Sequence, residues 1–99
     1  MNDPRRWGDT EVPVPDPAVC SATLDGEAVL YHPSTARSLL LNTSLSTLWS
    51  ALDGVADVAD ITARLADEFA AVATELRRDV ELGLSLLEAE RFVSRPHRP

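Results

Sequence analysis

The chain has 99 residues and a net charge of -7, from nine Lys and Arg against sixteen Asp and Glu. This length predicts one domain with a thin stability margin and no deep catalytic cavity. The acidic balance disfavours bulk binding to nucleic acid or anionic lipid and suits a basic partner. The single cysteine, Cys20, excludes an intrachain disulfide and a cysteine-rich metal site. Without a signal-peptide pattern or a long apolar run, we expect a soluble cytoplasmic protein.

The N-terminal stretch is rich in proline and charge and has little apolar periodicity. This composition predicts a flexible N-terminal arm over residues 1–18. A folded domain is predicted over residues 19–94. The polar, proline-bounded end predicts a disordered tail over residues 95–99.

Three strands are predicted at the start of the domain. Val19 to Thr23 and Ala28 to Tyr31 flank Asp25-Gly26, a pair typical of a type I′ hairpin turn because both residues tolerate positive φ. His32 to Thr35 forms a second turn, since its proline cannot donate to a ladder. Ala36 to Leu41 then extends as the third strand. The sequence therefore predicts an antiparallel meander.

Three helices follow, because the apolar period changes from two to 3.6 after the third strand. Asn42 or Thr43 caps the first helix, and Asp53-Gly54 ends it. Asp57 caps the second helix, and Thr74 caps a third, which runs from about residue 75 to residue 89. The predicted apolar faces are Leu45, Leu48, Trp49 and Leu52, then Ile61, Leu65 and Phe69, then Leu76, Val80, Leu84 and Leu87.

Strands followed by helices predict an α+β fold of order β-β-β-α-α-α, with the helices on one face of an antiparallel sheet. Two short helices, a longer one and a neighbouring hairpin describe a winged helix-turn-helix. Phe92-Val93 is predicted to be a short final strand.

Residues that could carry chemistry do not form a recognisable catalytic set. Cys20 has only His32 and His97 as possible bases, and no third group orients either one, so we interpret it as a small apolar strand residue. Most carboxylates lie where solvated helix faces are expected. No phosphate-binding glycine loop or metal-ligand spacing occurs. The sequence therefore predicts no enzyme activity, cofactor or metal.

The third predicted helix bears on the alternative of a DNA-binding regulator. In a winged helix-turn-helix this helix would enter the major groove. Arg77 and Arg78 could contact phosphate. The same helix also carries Glu75, Asp79 and Glu81, which the DNA phosphate backbone would repel.

The third strand carries leucine on both faces, since Leu39, Leu40 and Leu41 are consecutive. An exposed apolar edge strand is a liability that native proteins usually protect. In one interpretation, the C-terminal segment or a helix covers the outer leucine. In the other, the edge stays available to pair with an extended peptide. The third helix would then wall the groove, with room left by Gly83.

Several features together resemble the PqqD-like family over about residues 19 to 94. They are Gly26-Glu27-Ala28-Val29-Leu30, Leu41-Asn42-Thr43, Leu48-Trp49, Leu52-Asp53-Gly54, Ile61, Leu65, Arg78-Asp79-Val80, Leu87 and Phe92-Val93. The resemblance implies a RiPP recognition element, a winged-helix domain that binds the leader of a ribosomally made precursor peptide. It also implies that the leader adds as a strand beside the third strand. The peptide would thereby be presented to a modifying enzyme such as a radical SAM protein, a lasso-peptide protease or a cyclodehydratase.

Carried onto this chain, the resemblance implies a groove between the third strand and the third helix. Its residues would be Arg37, Ser38, Leu39, Leu40, Leu41, Arg77, Val80, Glu81, Leu84 and Leu87. Two positions depart from the family pattern: Ser38-Leu39-Leu40 lacks the frequent aromatic residue, and Ala36 stands where glycine often occurs. We expect a stand-alone peptide chaperone. The alternatives are a winged-helix regulator and a structural subunit of a synthase complex.

Overall fold

The fold was determined as a computed structural model, which describes residues 6–25 and 27–95. Three strands followed by three helices form the described chain, as predicted for an α+β fold, and one short strand lies on each side of them. The elements are β1 (Val14–Pro15), β2 (Cys20–Leu24), β3 (Glu27–His32), β4 (Arg37–Leu41), α1 (Thr43–Ala51), α2 (Val58–Phe69), α3 (Ala73–Ala89) and β5 (Val93–Ser94). The label of winged helix-turn-helix stays a prediction.

The sheet is an antiparallel meander in the order β2-β3-β4. Leu24 pairs with Glu27 across the predicted hairpin, and Asp25 adopts a φ of 52°, as a type I′ turn requires. Gly26 lies outside the described residues. In the second turn, the Thr35 N–H donates to the His32 carbonyl at 3.3 Å, and Ala36 takes a φ of 57°. Both turns therefore lie where they were predicted, and type I′ stays a prediction for the first.

Side-chain caps begin the first two helices. The Asn42 carboxamide oxygen accepts from the Leu45 N–H at 2.8 Å, and the Asp57 carboxylate accepts from the Asp60 N–H at 2.9 Å. The prediction that Thr74 caps α3 is wrong. Val72 is the N-cap and makes no side-chain cap bond, because α3 already begins at Ala73 and includes Thr74 in its first turn.

The core lies between the helices and the inner face of the sheet. Each predicted helix stripe contributes buried residues: Leu48 and Leu52, then Ile61 and Leu65, then Val80, Leu84 and Leu87. Trp49 packs against this core while partly exposed. Phe69 departs from its predicted place, since 42% of it is exposed at the end of α2. The C-terminal segment adds Phe92 and Val93.

The N-terminal strap, residues 6–18, is packed onto the domain, where a flexible arm was expected. Trp7 is only 1% exposed and belongs to the core, and β1 pairs with β5. The carbonyls of Asp9 and Glu11 accept from the first N–H groups of α2, at 3.0 and 2.9 Å. Those N–H groups have no partner within their own helix, so the strap satisfies them. Residues 1–5 lie outside the described range.

Arg95 contacts both the strap and α3. Its guanidinium lies 4.2 Å from the Trp7 ring centroid, and its Nε donates to Glu88 at 2.8 Å. A third contact joins it to Glu11 at 3.2 Å. The hydrogen bond to Glu88 raises the pKa of Arg95 above its ordinary value. Arg95 was predicted to belong to a disordered tail, whereas the structure holds it in place; residues 96–99 are not described.

The other end of the strap is joined to β3 through Asp16. Its carboxylate accepts from the Ala18 N–H at 2.8 Å and lies 3.0 Å from Nε2 of the buried His32. The hydrogen bond from the Ala18 backbone, followed by the one from His32, lowers the pKa of Asp16. The strap is thus tied at both ends to the folded domain.

Candidate functional site

The candidate site begins at the free edge of β4. In the described chain, β4 pairs with β3 on one side only, and β5 pairs with β1 instead of covering the other side. The interpretation in which the C-terminal segment covers the outer leucine therefore differs from the structure. Leu40 is 61% exposed. An apolar strand edge is left open to pairing.

The pairing register shows which backbone groups face this open edge. The β2–β3 loop has two residues, so its closing pair, which includes Glu27, exchanges backbone hydrogen bonds. Bonding direction alternates along an antiparallel strand, so Leu30 bonds toward β4, where its partner is Leu39. Ser38 and Leu40, on either side of Leu39, therefore direct their N–H and C=O groups to the open edge.

The two faces of β4 differ in burial. Leu41 is fully buried and Leu39 is partly buried, and both point toward the helices. Ser38 and Leu40 point to the opposite face and are exposed. Because successive side chains alternate between faces, a strand added beside β4 would also direct every second side chain toward the helices.

Helix α3 approaches the same edge with a row of side chains four residues apart. Glu90, its C-cap residue, accepts from Arg37 Nη1 at 2.6 Å, which joins the end of α3 to the start of β4. Leu86 and Leu82 precede Glu90 on the same helix face and are 42% and 62% exposed. This side-chain contact, not close backbone packing, bridges β4 and α3. We call the space between Ser38–Leu41 and this row the β4–α3 groove.

A pocket of about 450 Å³ lies where β4 leads into α1. Asn42 and Leu45 belong to the α1 side of its wall, Phe69 comes from α2, and Leu82 and Leu86 come from α3. The other lining residues are Ser44, Leu48, Leu65, Leu76, Asp79, Val80 and Gly83. Since Asn42 directly follows β4 and the two α3 leucines belong to the row above, the pocket continues the β4–α3 groove.

Gly83 sets how closely α1 and α3 approach beneath this pocket. A Cβ at this position would lie 2.7 Å from Leu48 Cδ2 and 3.1 Å from Leu45 Cδ1. The room that Gly83 was predicted to leave for a peptide is thus largely taken by these two leucines. Glycine here lets α1 and α3 pack closely without displacing these two side chains.

The predicted site residues fall into three groups. Arg37, Ser38 and Leu40 are exposed at the free edge, with Leu39 partly buried beside them. Four further predicted residues are at most 2% exposed, because helical and strand periodicity direct them into the core: Leu41, Val80, Leu84 and Leu87. Of these four, Val80 also contributes to the wall of the pocket.

Arg77 and Glu81 form the third group, and both face the N-terminal strap. Arg77 donates to the Trp7 carbonyl and, through Nε, to Asp9 at 2.9 Å. Glu81 accepts from the Trp7 N–H at 2.8 Å. These two side chains were predicted on the groove side, but the strap occupies their side of α3.

Sequence reasoning did not single out Leu82 and Leu86. The sequence pattern that could have identified them is an apolar pair at i and i+4 that lies outside the core stripe of the same helix. A helix with one apolar stripe buries it, so a second stripe indicates a second contact surface.

Across residues 6–25 and 27–95, no group of three or more His, Cys, Asp or Glu side chains is arranged to hold a metal ion. No helix in the same ranges is long and apolar enough to cross a membrane.

A family model described as coenzyme PQQ synthesis protein D (PqqD) matches residues 27–93. This chain belongs to the PqqD family. The family resemblance noted from the sequence is thereby confirmed. The match begins at β3 and ends in β5, so it includes β4 and α3 and leaves out the strap. No curated protein matches the chain.

A solved structure, described as TbiB1 in complex with the TbiA(beta) leader peptide, has the same fold. The TM-score is 0.75 and the sequences are 25% identical. The alignment covers 86% of this chain and 99% of the TbiB1 chain. The PqqD-family fold is thus shared with a protein whose solved complex contains a leader peptide.

Proposed function

We propose that this PqqD-family chain is a RiPP recognition element, which binds the leader region of a ribosomally synthesised precursor peptide and presents it to a modifying enzyme. The observation that carries the proposal is the free edge of β4 beside the exposed leucines of α3. Family membership and the likeness to leader-bound TbiB1 support the same role. The chain acts by binding, without chemistry of its own. It meets the precursor in the cytoplasm, where ribosomal peptides are made.

The leader adds to β4 as a further strand. Ser38 and Leu40 each offer one N–H and one C=O at the open edge, so the peptide residues opposite them complete the ladder. Sequence-independent backbone bonds hold the peptide in place. The Arg37–Glu90 bridge closes one end of the β4–α3 groove and limits how far the added strand extends.

Side-chain anchors supply the specificity. Peptide residues opposite Leu39 and Leu41 point to the helix side, because paired residues share a face. They are two positions apart and meet Leu82, Leu86 and the neighbouring pocket. The leader therefore carries apolar side chains at two positions separated by one residue, whose own side chain faces solvent.

A DNA-binding regulator is a weaker explanation for this structure. Arg77, one of two arginines expected to contact phosphate, is engaged by Asp9 and Trp7 of the strap. The open face of α3 ends at Glu90 and includes Asp79 on the pocket wall. Carboxylates at these positions would be repelled by the phosphate backbone.

The experiment is an amide-shift titration of isotope-labelled protein with the synthetic leader peptide of a candidate precursor. We expect shifts at Ser38–Leu41 and at Leu82 and Leu86. A folded protein that shows shifts only on α1 or α2 would instead support a structural role in a synthase complex. The modifying enzyme can be a radical SAM protein, a lasso-peptide protease or a cyclase, and the neighbouring genes identify which.

A proline variant tests strand addition directly. Leu40→Pro removes a donor from the open edge and spares the β3–β4 ladder, to which Leu40 does not donate. Losing that bond should weaken leader binding by about twofold to tenfold. Leu40→Thr keeps the N–H and serves as the matched control. If folded Leu40→Pro binds the leader as Leu40→Thr does, the β4 edge is not the binding strand.

A further inference from the structure

The outer face of the sheet, which points away from the helices, is largely apolar. Along it, Ala22, Val29 and Leu40 are direct cross-strand neighbours, and Cys20, Tyr31 and Ser38 form the adjacent row. Tyr31 is 44% exposed, Leu40 is 61% exposed, and Val29 is partly buried between them. We call these six residues the outer sheet face.

This face differs in character from the rest of a strongly acidic chain. None of its six residues is Asp, Glu, Lys or Arg, whereas the protein has a net charge of -7. Glu27 lies beyond Val29 on the same face of β3, and Asp25 is in the adjoining hairpin, so carboxylates border its hairpin end. A contiguous apolar surface with a charged rim is typical of a protein-interaction site.

The outer sheet face is continuous with the edge that the proposed function assigns to the leader. Leader residues opposite Ser38 and Leu40 would direct their side chains to this same face, since paired residues share a face. The loaded domain would then present a four-stranded surface made of protein and peptide together. A protein docked on it would contact the peptide only when the groove is occupied.

We propose that the outer sheet face is the docking surface for the modifying enzyme that acts on the bound precursor. This inference rests on the proposed function. The enzyme's complementary surface is apolar and bordered by Lys or Arg, which match the carboxylates at the hairpin end. A second copy of this chain fits less well, because two chains of charge -7 repel each other.

The test separates leader binding from enzyme docking. Val29 and Tyr31 lie on the central strand, which does not border the groove, so Val29→Lys and Tyr31→Lys should leave leader affinity within about twofold of wild type. Val55→Lys is the matched control, because Val55 is an exposed valine, 79% accessible, outside the sheet. Fluorescence anisotropy with the labelled leader gives affinity, and circular dichroism checks folding.

The second measurement is conversion of the precursor by its modifying enzyme, followed by mass spectrometry at limiting amounts of the domain. We expect conversion to fall about tenfold or more for Val29→Lys and Tyr31→Lys and to stay unchanged for Val55→Lys. Folded variants that support conversion at the wild-type rate would overturn the docking surface. A wild-type dimer that becomes monomeric in both variants would overturn it too, in favour of self-association.

The two proposals fail in different ways. If the wild-type protein does not bind the leader, the proposed function fails, whatever the conversion assay gives. If both lysine variants bind the leader as the wild type does and also support the same conversion of the precursor by the enzyme, only the docking surface fails.

Discussion

The two sides of α3 carry similar residues but differ in whether other parts of the chain cover them. On the covered side, Val80, Leu84 and Leu87 lie in the core, and Arg77 and Glu81 are tied to the N-terminal strap. On the open side, Leu82 and Leu86 stay exposed and line the pocket where β4 leads into α1. Apolar content alone does not distinguish them. What distinguishes them is whether another segment of the same chain covers the helix.

The largest expected effect is the loss of the contacts that the strap makes with the covered side of α3. Trp7→Ala removes a large buried side chain and its stacking partner for Arg95. We expect the free energy of unfolding to fall by about 3–5 kcal/mol, as measured by urea denaturation. Leader affinity of the molecules that remain folded should change little, because Trp7 lies on the covered side of α3.

Arg6→Ala is the control for that experiment. Arg6 lies next to Trp7 and has a largely exposed side chain 3.6 Å from Glu81. A long ion pair with one largely exposed partner contributes about 0–1 kcal/mol. If Trp7→Ala costs no more than Arg6→Ala, the strap does not contribute to the core, and the contrast between the two sides of α3 loses its cause.

The sequence predicted the elements of this fold but not the strap. Asn42 and Asp57 were found because side-chain caps are local features, and the helix stripes were found because burial follows the 3.6-residue period. Trp7 had no periodic neighbours, and Pro13, Pro15 and Pro17 suggested a loose chain. The contacts that order this segment are with residues distant in the sequence, from His32 and the start of α2 to Arg95, which no local pattern reveals.

The candidate site was predictable in part for the same reason. The free edge at Ser38 and Leu40 follows from strand order, which the turns specify. The side of α3 that faces this edge depends on how the helices rotate against the core. The core stripe of Val80, Leu84 and Leu87 was therefore assigned to the groove, and the exposed pair Leu82 and Leu86 was passed over.

A leucine-to-aspartate pair on α3 sharpens the comparison. Leu82→Asp and Leu86→Asp each remove an exposed apolar contact, so the fold should persist while leader affinity falls by about tenfold to a hundredfold. Leu84→Asp, on the covered side, buries a charge and should unfold the domain. Calorimetric titration and circular dichroism give the two readouts. Unchanged leader affinity in folded Leu82→Asp and Leu86→Asp would remove α3 from the groove.

The smallest effect is expected at the turn before β4. Ala36 has a φ of 57°, a region that disfavours residues with a Cβ. Ala36→Gly should therefore stabilise the protein by up to about 1 kcal/mol, the flexibility of unfolded glycine offsetting part of the gain. Ala63→Gly, at an exposed right-handed position of α2, should destabilise it by about 1 kcal/mol. Thermal unfolding should show a higher melting temperature than wild type for Ala36→Gly and a lower one for Ala63→Gly.

The short free edge also bears on how long a peptide stays bound. Two residues, Ser38 and Leu40, offer at most four backbone hydrogen bonds, and at roughly 0.5–1.5 kcal/mol each these supply about 2–6 kcal/mol. Micromolar affinity needs about 8 kcal/mol. Peptide anchors must therefore provide the difference, and exchanging one anchor residue would tune the residence time of a precursor. A brief residence lets one copy of the domain serve many precursor molecules in turn.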